Sequence, residues 1–158
     1  MATRRILRID NKEDLEFLRK KSKVVENFDS RLHVLLEDMS DTVRKADGAG
    51  LSAVQIGVLK RVFVIIDEDD EIIEFVNPEI IESSGSCPIL EEGCLSVPKS
   101  YGKVKRPNVV VVKAYDRYGK EFKRQFVGFS AKAVCHESDH LDGVLFIDKV
   151  IDDVKRIK

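Results

Sequence analysis

Two of the three histidines in this 158-residue chain, His136 and His140, lie four residues apart and enclose Glu137. The pattern is His-Glu-x-x-His. In a helix, residues four apart lie on one face, so both imidazole rings can reach one metal ion. Glu137 lies on the adjacent side, where it can accept a proton from a water molecule that the metal activates. The pattern therefore predicts a metal-dependent hydrolase, whereas the competing interpretation is two surface histidines on a charged helix.

A catalytic metal site of this kind needs a third protein ligand, and the usual downstream candidates are absent. No glutamate follows Glu137, and the position at which a third histidine would complete another common pattern holds Phe146. Asp148, Asp152 and Asp153 follow the predicted helix but fit neither spacing. A ligand from the upstream part of the chain is therefore favoured.

Cys94 is the best upstream candidate. Gly93 precedes it and permits a backbone conformation that can aim a thiolate inward, and a bound metal would lower the pKa of the thiol. Cys94, His136 and His140 together would leave one coordination position open, which is typical of a catalytic site. The alternative for Cys94 is a buried structural thiol.

A glycine-containing segment, residues 48–55, reads Gly-Ala-Gly-Leu-Ser-Ala-Val-Gln. Its spacing resembles a dinucleotide-binding fingerprint, but that motif follows a strand and opens a helix. Here the segment follows a predicted helix and leaves no room for another before the next predicted strand, so a nucleotide fold is excluded. A glycine-lined loop can instead admit the backbone of a substrate, with Gln55 supplying an amide N–H; the alternative is an ordinary loop in which Gln55 is solvated.

The elements that must position these residues follow a simple order along the chain. The apolar spacing predicts helices over residues 11–22, 29–46 and 131–141, and strands over residues 61–67, 72–77, 109–115 and 121–127. We expect Pro78 to end the second strand. Helices come first, then strands, then one helix, which predicts an α+β fold with a mainly antiparallel sheet, in a single catalytic domain of residues 1–158.

The amino-acid composition argues against a nucleic-acid-binding protein, a disulfide-rich protein and a membrane-spanning protein. Lysine and arginine total 27 against 28 acidic residues, a net charge of -1 that gives no support to nucleic-acid binding. Three cysteines fit a reduced thiol inventory better than a disulfide scaffold. The longest apolar runs are too short to span a bilayer or to form a signal peptide. We therefore expect a cytoplasmic protein.

Taken together, three segments in this order resemble the peptide deformylase family: residues 48–55, the Glu-Gly-Cys-Leu-Ser of residues 92–96, and the His-Glu-x-Asp-His-Leu of residues 136–141. The likeness covers nearly the whole chain. It departs from the family pattern at Ser52, where alanine is usual, at Val54, where proline is usual, at Cys135, where glutamine is common, and at Ser138, where an apolar residue is usual.

The resemblance implies the deformylase fold, in which antiparallel sheets pack around the C-terminal His-Glu-x-x-His helix and helices precede them. It implies hydrolysis of the formyl group from the N-terminal formyl-methionine of new polypeptides. One divalent metal ion, iron(II) with zinc, nickel or cobalt able to substitute, would be held by Cys94, His136 and His140. Glu137 would act as general base and then as general acid.

For the remaining site residues, the resemblance implies that the Gln55 side chain and the Leu95 backbone N–H stabilise the oxyanion, and that Gly50, Leu51 and Gly93 contact the substrate. Partners would be formylmethionyl nascent chains, with transient contact to the ribosome, and neither DNA nor a membrane. Two alternatives remain: a hydrolase of other N-acyl groups, and a metal- or peptide-binding module without catalysis.

Overall fold

The computed structural model describes residues 2–88 and 91–157. Within these residues, the helices are α1 (Lys12–Leu18), α2 (Ser30–Lys45) and α3 (Phe129–Leu141), with short 3-10 helices at Ala53–Ile56 and Phe146–Asp148. The strands are β1 (Gly50–Ser52), β2 (Val62–Ile66), β3 (Ile72–Ser84), β4 (Glu91–Cys94), β5 (Val97–Lys103), β6 (Val109–Tyr115), β7 (Glu121–Val127) and β8 (Lys155–Arg156).

A five-stranded sheet in the order β1-β2-β3-β6-β7 forms the centre of the fold, and each neighbouring pair is antiparallel. Strands β4, β5 and β8 form a second, smaller antiparallel sheet. The predicted α+β class with mainly antiparallel pairing is confirmed. The resemblance implied more than one sheet, but the apolar spacing predicted none of the strands β4, β5 and β8.

Two helices cover opposite faces of the large sheet. Strand β2 is apolar throughout, and its side chains alternate: Val62 and Val64 pack with the apolar face of α2, whereas Phe63 and Ile65 pack with α3. A strand that is buried on both faces has no polar positions, which explains the continuous apolar run. The sheet therefore forms the middle layer between α2 and α3.

The prediction that Pro78 ends the second strand is wrong, because β3 continues to Ser84. The pairing between β3 and β6 shifts register between Val76 and Glu79, so Pro78 lies in an irregularity of the ladder. Proline has no N–H to donate and is tolerated in a strand where a bulge interrupts the regular bonding.

Helix boundaries agree with the sequence for α2 and less well for the others. The Asp29 side chain accepts a hydrogen bond from the Leu32 N–H and caps α2. Helix α1 ends at Leu18 instead of continuing to residue 22. Helix α3 begins two residues earlier than predicted, after Gly128, whose φ of 66° favours glycine. No helix in residues 2–88 and 91–157 has the length and apolar character needed to cross a membrane.

Candidate active site

Helix α3 presents the two histidines of the His-Glu-x-x-His pattern on one face. His136 is 9% exposed and His140 is 1% exposed, so the interpretation of two surface histidines is wrong. Their rings stand edge to face, with centroids 5.1 Å apart. The four-residue spacing therefore brings the two imidazoles together inside the protein, as the helical geometry predicts.

Cys94 reaches the same place from the other sheet. It is the last residue of β4, next to a register shift in the pairing of β4 with β5. Its Sγ lies 3.3 Å from His140 Nε2. One ligand atom from each of Cys94, His136 and His140 lies within 4.8 Å of the other two. A thiolate and two imidazoles form a donor set that suits zinc or iron, so the residues fit the metal that the sequence implies.

The downstream aspartates that the spacing left open lie elsewhere. Asp148 forms an ion pair with Arg19, and Asp152 accepts a hydrogen bond from the Lys103 N–H. Asp153 is exposed on the C-terminal segment.

Behind His136 lies a buried ionic network that the sequence did not reveal. Glu92 Oε1 lies 2.5 Å from His136 Nδ1. Arg106 donates two hydrogen bonds to the Glu92 carboxylate, at 2.7 and 3.2 Å, and a third to Asp139 at 2.7 Å. In neutral His136 the proton must then be on Nδ1, because a carboxylate only accepts, and this leaves Nε2 free to bind a metal.

Within this network, the carboxyl group of Glu92 is held in its ionised form. Burial raises the pKa of Glu92, but the hydrogen bonds from His136 and Arg106 outweigh burial and bring the pKa to about 2. Glu92 lies two residues before Cys94, within the segment of residues 92–96 that carries part of the family resemblance. The requirement that a ligand histidine hydrogen-bond to a carboxylate could have pointed to it, but nothing in the sequence joins residue 92 to residue 136.

Glu137 lies beside the three candidate metal ligands, Cys94, His136 and His140, and against strand β1. Its Oε2 is 3.9 Å from His136 Nε2. The Ser52 hydroxyl lies 3.0 Å from Glu137 Oε1. A Cβ on Gly50 would lie only 2.9 Å from Glu137 Oε2, so this glycine makes room for the carboxylate. Burial raises the pKa of Glu137 above its usual value.

The glycine-containing segment is more ordered than a loop. It contains β1 and the first three residues of the 3-10 helix Ala53–Ile56, which carries Gln55. Gln55 is 1% exposed, so the alternative in which it is solvated is wrong. Its Oε1 accepts from the Ser52 N–H at 2.9 Å, and its Nε2 donates to Ser96 Oγ at 3.0 Å and lies 3.6 Å from Cys94 Sγ.

An open cavity of about 450 Å³ lies in front of these residues. Strand β1, strands β4 and β5 and helix α3 contribute to its walls, which include Gly50, Gln55, Gly93, Cys94, Leu95, Val97, Tyr101, Phe129, Lys132, Ala133, His136 and Glu137. Leu51 is fully buried among the residues that pack with α2, so only its backbone remains available to a substrate. A Cβ on Gly93 would lie 3.0 Å from the Tyr101 ring, which explains the glycine before Cys94.

The other two cysteines, Cys87 and Cys135, are buried and do not belong to the group of candidate metal ligands. Cys135 packs in the apolar cluster between α3 and the sheet. Burial raises the pKa of its thiol to about 11. A neutral, buried thiol of this kind is a structural side chain.

Comparison with known proteins agrees with this geometry. The sequence model of the family described as Polypeptide deformylase matches residues 3–156. A peptide deformylase from Caldicellulosiruptor bescii is 57% identical over 151 residues, which are 96% of this chain and 87% of that protein. A crystal structure of a peptide deformylase from Legionella pneumophila is 47% identical with a TM-score of 0.86, covering 94% of this chain and 86% of that one.

A third relative has a ligand in its crystal structure. The class I type b peptide deformylase from Acinetobacter baumannii, bound to Met-Ala-Ser, is 30% identical with a TM-score of 0.86, and the match covers 94% of this chain and 100% of that one. These likenesses do not favour a non-catalytic module or a hydrolase of other N-acyl groups. The chain belongs to the peptide deformylase family of metal-dependent hydrolases, whose activity is removal of the formyl group from nascent peptides.

Proposed function

We propose that this chain hydrolyses the formyl group from the N-terminal formyl-methionine of new polypeptides, at a metal centre made of Cys94, His136 and His140. The observation that carries the proposal is the convergence of one sulfur and two imidazoles within 4.8 Å, with Glu137 Oε2 3.9 Å from His136 Nε2. A ligand set with a neighbouring carboxylate is the arrangement that metal-assisted hydrolysis needs.

The metal would be a divalent ion. When bound, it would act as a Lewis acid that lowers the pKa of a water molecule and polarises the formyl carbonyl. The resemblance to deformylases favours iron(II), and the same nitrogen and sulfur donors suit zinc, nickel or cobalt. Elemental analysis of protein purified without oxygen identifies the ion.

Glu137 is the proton carrier in this proposal. Its carboxylate accepts a proton from the attacking water as the water oxygen bonds to the formyl carbon. The C–N bond then breaks, Glu137 delivers the proton to the leaving amine, and formate departs.

Gln55 and Leu95 would stabilise the oxyanion. The Gln55 Oε1 is held by the Ser52 N–H, which fixes the opposite end of the amide, Nε2, beside Cys94 Sγ. Leu95 follows Cys94 and lines the cavity, so its backbone N–H is the second candidate donor. Loss of one such donor typically lowers the rate by about 100- to 1,000-fold.

The substrate would bind along β1. In the described residues, β1 pairs only with β2, so its other edge is available to a peptide backbone. Gly50 and Leu51 would offer backbone groups to that peptide, and Gly93 would form the opposite wall. The 450 Å³ cavity would hold the methionine side chain. The Met-Ala-Ser peptide bound to the Acinetobacter baumannii relative supports a peptide ligand of this length.

Formate release from formyl-Met-Ala-Ser by the iron(II)-loaded protein tests the function. We expect turnover with the formylated peptide and little with the acetylated peptide of the same sequence. No formate from fully loaded protein would contradict the proposal, and equal cleavage of the acetylated peptide would indicate a broader N-acyl hydrolase.

We also propose that residues 1–158 form one catalytic domain that works in the cytoplasm, in transient contact with the ribosome. Three free thiols suit a reducing compartment, and the substrates are polypeptides that are still being made. A single cooperative unfolding transition is expected for one domain. Co-sedimentation with ribosomes tests the contact.

A further inference from the structure

Ser52 occupies a position where alanine is usual in the family that the sequence resembles, and its hydroxyl contacts the proton carrier. It is the last residue of β1 and is fully buried. Its Oγ lies 2.9 Å from the Glu137 carbonyl oxygen and 3.0 Å from Glu137 Oε1. A hydroxyl at this position therefore joins β1 to the middle of α3.

One hydroxyl proton faces two acceptors. The two contacts have nearly the same length, and a hydrogen bond to an ionised carboxylate is stronger than one to a neutral carbonyl, so the Glu137 carboxylate competes with the carbonyl for the proton. The bond to Oε1 ties one carboxylate oxygen to the strand. The other oxygen, Oε2, stays on the side of His136, 3.9 Å from its Nε2.

We propose that Ser52 is a positioning residue whose hydroxyl holds Glu137 Oε1 and so reserves Oε2 for proton transfer. This inference rests on the proposed function, in which Glu137 carries the proton. A proton from the attacking water goes to Oε2 and then to the nitrogen of the leaving amine, while Oε1 keeps its hydrogen bond. The carboxylate therefore does not have to be reoriented during the reaction.

The contacts of Ser52 allow the hydroxyl to be tested alone. Its backbone N–H donates to Gln55 Oε1, and substitution by alanine leaves this bond in place. The change Ser52→Ala therefore removes the link to Glu137 without releasing Gln55. Because alanine is usual at this position in the family, we expect the variant to fold.

The experiment measures kcat and KM for formyl-Met-Ala-Ser with metal-loaded protein. We expect Ser52→Ala to lower kcat by about 10-fold and to leave KM and metal content unchanged, because a charged hydrogen bond that orients the proton carrier is lost. Ser52→Cys keeps a weak hydrogen-bond donor, so its kcat should lie between those of the wild type and Ser52→Ala. Ser40→Ala, which removes a hydroxyl that bonds a helix carbonyl in α2, is the matched control and should keep full kcat.

The same substitution in a Glu137→Ala variant shows whether the Ser52 hydroxyl positions the Glu137 side chain or only stabilises α3. In Glu137→Ala no carboxylate remains to be held, so Ser52→Ala should have no further effect on the residual rate. If the hydroxyl instead supports α3 through the Glu137 carbonyl, Ser52→Ala will lower the rate and the melting temperature equally in both backgrounds, which overturns the proposal. An unchanged kcat in an active wild-type background overturns it as well, and an inactive wild type overturns the proposed function and this inference together.

Discussion

The substitution Gly50→Ala examines the close contact between β1 and the carboxylate of Glu137. A Cβ at residue 50 would lie 2.9, 3.0 and 3.1 Å from Oε2, Cγ and Cδ of Glu137. Gly50 is not among the glycines with positive φ, so alanine causes no backbone strain there. Any cost of the substitution therefore comes from the contact itself.

The distances set the size of the effect. Ordinary van der Waals contact begins at 3.4 Å, so the Glu137 carboxylate must move by about 0.5 Å. Overpacking of this kind costs about 1–3 kcal/mol, and the Gly-to-Ala change recovers about 0.4–1 kcal/mol through the unfolded chain. We expect a net loss of about 1–2 kcal/mol in the free energy of unfolding. A displacement of a catalytic group by about 1 Å can lower the rate by about 100-fold. A movement of the Glu137 carboxylate by about 0.5 Å should therefore lower kcat by about 10-fold.

Urea unfolding and steady-state formate release measure the two effects. The backbone groups of residue 50 that a peptide would pair with are unchanged, so KM should stay constant. In a Glu137→Ala background the added methyl group has room, and Gly50→Ala should then increase stability by about 0.4–1 kcal/mol. Equal destabilisation in both backgrounds, or a higher KM at constant kcat, would refute the explanation based on Glu137.

Three further substitutions test a candidate metal ligand and two carboxylates that lie beside the candidate metal site. Glu137→Ala should retain the metal in elemental analysis but lower kcat by about 100- to 10,000-fold, and unchanged turnover would remove its assignment as the proton carrier. Cys94→Ser should weaken metal binding because a hydroxyl replaces the thiolate. Equal metal content in that variant would show that Cys94 is not a ligand. Glu92→Gln removes the charge that holds His136, and competition with a chelator should show a metal affinity about 10- to 100-fold lower. An affinity equal to that of the wild type would mean that Glu92 does not orient the ligand.

Some of these features depend only on local chain geometry, and the sequence was sufficient to predict them. The spacing of His136 and His140 places both rings on one helix face wherever that helix packs. The capping aspartate and apolar periodicity of α2 determine its limits in the same way. By contrast, β3 runs through Pro78 because pairing with β6 includes an irregularity at that point, and the local signal of proline could not reveal the partner strand.

The sequence by itself determined which side chains can do the chemistry: two imidazoles one helical turn apart, a carboxylate between them and a thiol. Only the tertiary structure decided that Cys94 comes within 3.3 Å of His140 Nε2, and that Glu92 and Arg106 support His136 from behind. The same holds for the contact of Ser52 with Glu137. The physical reason is that helical periodicity relates residues a few positions apart, whereas contacts between β4, β1 and α3 depend on how sheets and helix pack, which no spacing along the chain encodes.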